Sequence, residues 1–154
     1  SSFSDSIRMK KYANYMILPE FRLILECCKG QASVEDAIYM KKTESSDDLY
    51  NPNYNIIVDF RGFETILDST IKESTTNFYN FLKGLNINGK IAILTTAPHQ
   101  VVISVFLKDL STNLGYGKME VFSTIEAAIR FLGIPIENFD LINNKILELN
   151  KNTA

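Results

Sequence analysis

The chain has 154 residues, of which 45% are hydrophobic, 11% aromatic and 22% charged, the profile of one globular domain able to hide roughly two-thirds of its unfolded surface. This excludes a disordered chain, a collagen-like repeat and a cysteine-stapled mini-protein. Sixteen Lys and Arg against 18 Asp and Glu leave a net charge of −2, and the basic residues are scattered, so no basic face for a nucleic acid is expected.

Residues 1–11 are polar and read as a loose amino-terminal segment without a signal-peptide pattern, ahead of a domain spanning 12–150. The densest basic group, Arg8, Lys10 and Lys11, falls in it and reads as solvated rather than as a phosphate-binding arm. Residues 12–18 and 21–28 read as two strands. Only Pro19-Glu20 separates them, so an antiparallel hairpin is expected, with Phe21, Leu23, Leu25 and Cys27 on one face. Cys27 and Cys28 are neighbours in a strand, point to opposite faces and are poorly placed to bridge each other. Two unbridged thiols suit a reducing, cytoplasmic setting.

Ser33 caps the next helix, with Glu35 and Asp36 at its positive end and Val34, Ala37, Ile38 and Lys41 turned inward. Residues 43–54 read as a polar loop. Its Asp47-Asp48 pair lacks the regular oxygen ligands of a calcium loop and reads as solvated. Residues 55–60 form a short apolar strand, followed by a helix over about 65–83 with Leu67, Ile71, Phe78, Phe81, Leu82 and Leu85 inward. Asn88-Gly89 turns the chain into a buried strand over 90–96. Pro98 opens a helix over 98–113. Gly115-Tyr116-Gly117 reads as a turn, and Lys118 to Phe122 as a strand. Ser123 and Glu126 make a capping box. The helix behind them turns Ile125, Ala128, Ile129 and Leu132 inward and stops at Gly133. A last helix, about 136–149, buries Phe139, Ile142, Ile146 and Leu149.

Strands that alternate with helices are expected to run parallel with right-handed crossovers. The fold class is therefore α/β: one domain with a mixed sheet of about five strands, an antiparallel amino-terminal hairpin and flanking helices. The longest apolar run, Val101 to Leu107, is far too short for a membrane span.

Three segments carry a family likeness. Ile56-Ile57-Val58-Asp59-Phe60-Arg61-Gly62-Phe63 leads to Asp68-Ser69-Thr70. A strand ends in Thr95-Thr96-Ala97-Pro98. Met119-Glu120-Val121-Phe122 runs into Ser123-Thr124-Ile125-Glu126-Ala127-Ala128. In these the chain resembles the STAS domain family of sulfate transporters and anti-sigma-factor antagonists, in particular its SpoIIAA-like relatives, over roughly 100 residues. The resemblance implies a non-catalytic module that binds a protein partner. It also implies that a serine after an aspartate at a helix start is a phosphoacceptor, which here is Ser69 after Asp68. Ile71 stands where the family pattern has a glycine. Read from the residues alone, Asp68, Ser69 and Thr70 equally serve as local hydrogen-bonding groups.

The residues themselves offer three further candidates. In α/β sheets, ligands meet the carboxyl ends of parallel strands. This makes Arg61, Asp68, Thr95, Thr96, His99 and Ser123 a candidate rim for a ligand or partner, with Arg61 the cation for a small anion. His99, the single histidine, would have to serve Cys27, Cys28 or a serine in any nucleophilic mechanism. No Gly-x-Ser-x-Gly turn, phosphate loop or zinc ligand set accompanies it, so neither an enzyme, a cofactor nor a metal is expected. On the helix 98–113, Gln100, Ser104, Lys108 and Ser111 form a narrow polar stripe, and Val101, Val105 and Phe106 belong to a broad apolar arc. That arc calls for a cover: the carboxy-terminal helix, a second copy in a homodimer, or an acyl chain. Two functions follow, a protein-interaction module whose contact surface is formed by the helices at 65–83 and 98–113, or a carrier of a small apolar, lipid-like ligand.

Overall fold

Alternation along the strands decides which residues face which layer. The computed structural model describes residues 11–113 and 118–154; the expectations for residues 1–10 and for the Gly115–Gly117 turn lie outside them. Five strands, β1 (Ala13–Leu18), β2 (Leu23–Gly30), β3 (Asn55–Phe63), β4 (Ile91–Leu94) and β5 (Met119–Phe122), form one sheet in sequence order. β1 and β2 are antiparallel, with Leu18 opposite Leu23 across a single turn of 3₁₀ helix at Pro19–Phe21. The remaining pairs are parallel. The α/β class, the mixed sheet and the hairpin are as the sequence predicts.

Each crossover from β2 to β5 steps one strand in the same direction. The right-handed rule therefore sends all three connecting helices to one face. These are α1 (Val34–Ser45), α2 (Ile71–Lys83) and α3 (Pro98–Asn113). Ile24, Ile56, Ile91 and Ile93 meet α2 and α3 there, while Cys28 meets Met40 of α1. The chain beyond β5 is left to cover the other face. α4 (Ile125–Phe131) and α5 (Phe139–Lys151) do so, packing on Leu23, Leu25, Ile57, Ala92 and Leu94. Ile142, Ile146 and Leu149 of α5 are buried as predicted. Lys29 donates to the carbonyls of Asn150 and Thr153 and so meets the negative end of α5.

Two glycines are dictated by geometry. A side chain on Gly89 would collide with the Tyr54 carbonyl oxygen. Gly133, at φ +73°, adopts the left-handed conformation that ends α4.

Several boundaries differ from the sequence reading. α1 runs through Ser45 into the predicted loop, because Lys41 and Glu44 on its inner side have a buried partner. β3 extends to Phe63, and α2 begins only at Ile71 rather than 65. Leu67, expected inside, is exposed in the connection. α4 is capped by Thr124, whose hydroxyl accepts from the Ala127 N–H, not by a Ser123–Glu126 box. α5 lies on the face opposite α3 and does not cover the helix 98–113 arc.

Candidate functional site

Three helices on one face of a short sheet do not close over it completely. Between α1, α2, α3 and the sheet lies a cavity of about 690 Å³, within the roughly 300–1,000 Å³ typical of small-molecule sites. From the sheet, Ile56, Val58 and Phe60 of β3, alternate residues of one strand, line it, with Ile91 and Ile93 beside them. Met40, Phe78, Leu82, Ile103 and Leu107 close it from the helices. Its deep end is sealed, since Ile91, Ile93, Leu107 and Met119 are all buried. Its mouth lies at the carboxyl ends of β2 and β3, among Gln31, Ser33, Glu35, Glu64, Ile66 and Asp68, and Ile66 there is 78% exposed.

The polar part of the wall is an ion triad. Glu26 of β2 leaves the sheet on the same face as Ile24 and Cys28. Lys41 of α1 donates to Glu26 Oε2 at 2.6 Å and to Glu44 Oε2 at 2.9 Å. Lys41 is 2% exposed and Glu44 0%. Glu26 and Lys41 line the cavity. Burial pushes Glu44 up, and the neighbouring Glu26 charge pushes it further, to about 9 despite Lys41. Burial also opposes ionisation of Glu26, but the Lys41 ammonium and hydrogen bonds from Glu44 and Lys41 outweigh it and hold this carboxyl below its usual range. Lys41 is held above its usual range, since the two carboxyls outweigh its burial. At neutral pH the triad is thus an ammonium, a carboxylate and a neutral acid, with no net charge. Oε1 of Glu44 has no hydrogen-bond partner among the described residues.

The predicted rim is divided. Arg61 is paired within its own strand, its guanidinium holding Asp59 through Nε at 2.9 Å and Nη2 at 3.0 Å. Asp59 alternates with Val58 and Phe60, so this pair sits on the α5 side of the sheet, away from the cavity. The Arg61 carbonyl, Thr96 and His99 do meet, around a residue read only as part of a polar stripe. Gln100 accepts from the N–H groups of Thr96 and Ala97 and donates to the carbonyls of Arg61 and Phe63. His99 Nε2 lies 2.9 Å from the same Phe63 oxygen, so its partner is a backbone carbonyl and not a nucleophile. Thr95 is buried, and Thr96 and Ser123 are exposed. Of the rim set, only Asp68 lines the cavity. Ser69 is exposed beside it in the connection before α2, and the Asp68 carboxylate accepts from both the N–H and the hydroxyl of Thr70.

The polar stripe of α3 faces inward, not outward. Gln100, Ser104 and Ser111 are buried. The two serines donate to the carbonyls of Gln100 and Leu107, one turn back, and so need no solvent. Part of the apolar arc is turned out: Val101, Val102 and Val105 are 40–50% exposed, with Phe106 half-buried, while Ile103 and Leu107 are buried against the cavity. Both cysteines are free and buried. Burial, with the charge of Asp59, pushes Cys27 up to about 11, and burial pushes Cys28 up as well. Neither is a ready nucleophile.

Sequence reasoning did not find the cavity or Glu44. A signal was present for the triad: Glu26 interrupts the apolar run Leu23–Cys28, and Lys41 falls on the inward stripe of the next helix. Opposite charges at two interior positions point to each other. Among the described residues no group of three or more metal-ligating side chains comes together, and no helix is long and apolar enough to cross a membrane. No protein-family model matches the chain, and no curated protein matches it.

Proposed function

We propose that the protein is a non-catalytic carrier, a module that takes up a small and largely apolar molecule between its sheet and the helices α1–α3. The observation that carries this reading is the cavity of about 690 Å³, sealed at depth by isoleucines and open at the carboxyl ends of β2 and β3. A cavity of this size in a domain held together only by interaction surfaces would lose packing for no return. The buried thiols and the backbone-bound His99 support a binding role rather than a chemical one. The free thiols also fit a reducing compartment, such as the cytoplasm.

The test is binding of a neutral apolar dye, N-phenyl-1-naphthylamine, followed by its fluorescence. The wild type is expected to brighten it saturably. Ser74→Trp, which puts an indole into the cavity from α2, is expected to abolish this while circular dichroism stays native. A dye response equal in both proteins, or absent from the wild type, would refute the carrier reading.

A second reading, an interaction module of the STAS-like kind, is favoured by one observation. Val101, Val102 and Val105 present a continuous apolar strip on α3 to solvent. It predicts a sedimentation coefficient that rises with protein concentration in the wild type and not in Val101→Asp/Val105→Asp. Ser69 as phosphoacceptor belongs to this reading, and labelling by a cell lysate with ATP that survives Ser69→Ala would remove it.

A further inference from the structure

The charges around the cavity are unequal, and this bears on what enters it. Four carboxyl groups line it, Glu26, Glu35, Glu64 and Asp68, against one cation, Lys41. Lys41 is already committed to Glu26 and Glu44 at 2.6 and 2.9 Å. The remaining three carboxylates are exposed and belong to the lining at the mouth. Two helix amino termini flank that mouth and would otherwise favour an anion. Both are already met by acidic side chains. At α1, Ser33 and Asp36 cap one another reciprocally, at 3.0 and 2.8 Å. Ahead of α2, the Asp68 carboxylate takes the Thr70 N–H at 2.8 Å. Lys72, the nearest cation in sequence on α2, is exposed and is not part of the cavity wall.

Resting on the carrier reading, we infer that the cavity selects by charge, taking an apolar molecule with a cationic end in preference to one ending in a carboxylate or phosphate. The apolar body lies along Ile56, Val58 and Ile93, and the cationic end sits at the mouth between Glu35, Glu64 and Asp68. A carboxylate in that position meets three like charges and no uncommitted cation among the described lining residues. A fatty acid is therefore the wrong guest, although its chain suits the walls.

The test uses three probes with the same chain, dodecyltrimethylammonium, 1-dodecanol and dodecanoate. Each is titrated below its micelle concentration by calorimetry, at about 20 mM and about 200 mM salt. At low salt the ammonium is expected to bind at least tenfold more tightly than the carboxylate, with the alcohol between them. The ratio is expected to narrow at the higher salt. In Glu35→Gln/Glu64→Gln/Asp68→Asn it is expected to approach one while dodecanol affinity is unchanged, which also shows that the variant is folded. Dodecanoate binding as tightly as the ammonium, or a ratio that the triple variant leaves intact, would overturn the inference and leave the carrier reading standing. Failure of dodecanol itself to bind the wild type would remove both.

Discussion

Removing Lys41 should be more damaging than removing Glu44, although the two are equally buried. In Lys41→Met, Glu26 and Glu44 remain inside with no counter-charge. Breaking a buried pair by deleting one partner costs about 3–5 kcal/mol. For a chain of 154 residues each kcal/mol lowers Tm by roughly 2–4 °C, so a fall of roughly 6–20 °C is expected. Glu44→Gln exchanges a neutral acid for a neutral amide. The Lys41 bond at 2.9 Å is kept by the amide oxygen, while the amide nitrogen takes the Oε1 position, which has no partner among the described residues. The loss should be about 1–3 kcal/mol, the cost of an unsatisfied buried donor. The pH dependence separates the two carboxyls further. Glu44 keeps its proton in the folded state up to about pH 9, whereas in the unfolded chain it loses it near pH 4–5. Between those values the folded state binds the extra proton, so wild-type stability falls as pH rises, by roughly 1.4 kcal/mol per pH unit from this group. Glu44→Gln removes that contribution. Urea unfolding of wild type, Lys41→Met and Glu44→Gln between pH 5 and 9 reads all of this. Equal destabilisation by both variants, or the same pH slope in wild type and Glu44→Gln, would refute the assignment of a neutral Glu44.

Other expectations are simpler to check. Gln100→Ala removes the side-chain partner of the Thr96 and Ala97 N–H groups and of the Arg61 carbonyl, while the Phe63 carbonyl keeps His99, and should lower unfolding free energy by about 2–4 kcal/mol in urea titrations. Thr124→Ala should cost about 1 kcal/mol through loss of the α4 cap, and Ser123→Ala almost nothing, both by thermal unfolding. A thiol reagent such as dithionitrobenzoate should label neither Cys27 nor Cys28 in the native protein and both after denaturation, since each thiol is buried and its thiolate disfavoured.

The fold was largely legible because its signals are local and periodic. Phe139, Ile142, Ile146 and Leu149 repeat at helical spacing, and the strands Asn55–Phe60 and Lys90–Leu94 are apolar runs bounded by turns. What escaped depends on pairing across the chain. A serine stripe normally reads as a wet surface, yet Ser104 and Ser111 satisfy themselves on their own helix and turn inward. The valines of α3 were then displaced outward, which no helical period can announce. Arg61 reads as a lone cation in the sequence, but in the fold it is paired with Asp59, two residues earlier, through Nε and Nη2. Of the predicted rim, Asp68 alone lies on the cavity, because the void is a property of three helices and a sheet together and of no single motif.

Occupancy of the void by an apolar guest can be seen residue by residue in the isoleucine and methionine methyl spectra during titration with 1-dodecanol. Shifts are expected at Ile56, Ile93, Ile103, Met40 and Met119, which line the cavity, and none at Ile129, Ile142 and Ile146 across the sheet. An unchanged spectrum, or shifts confined to the α4–α5 side, would contradict the carrier reading.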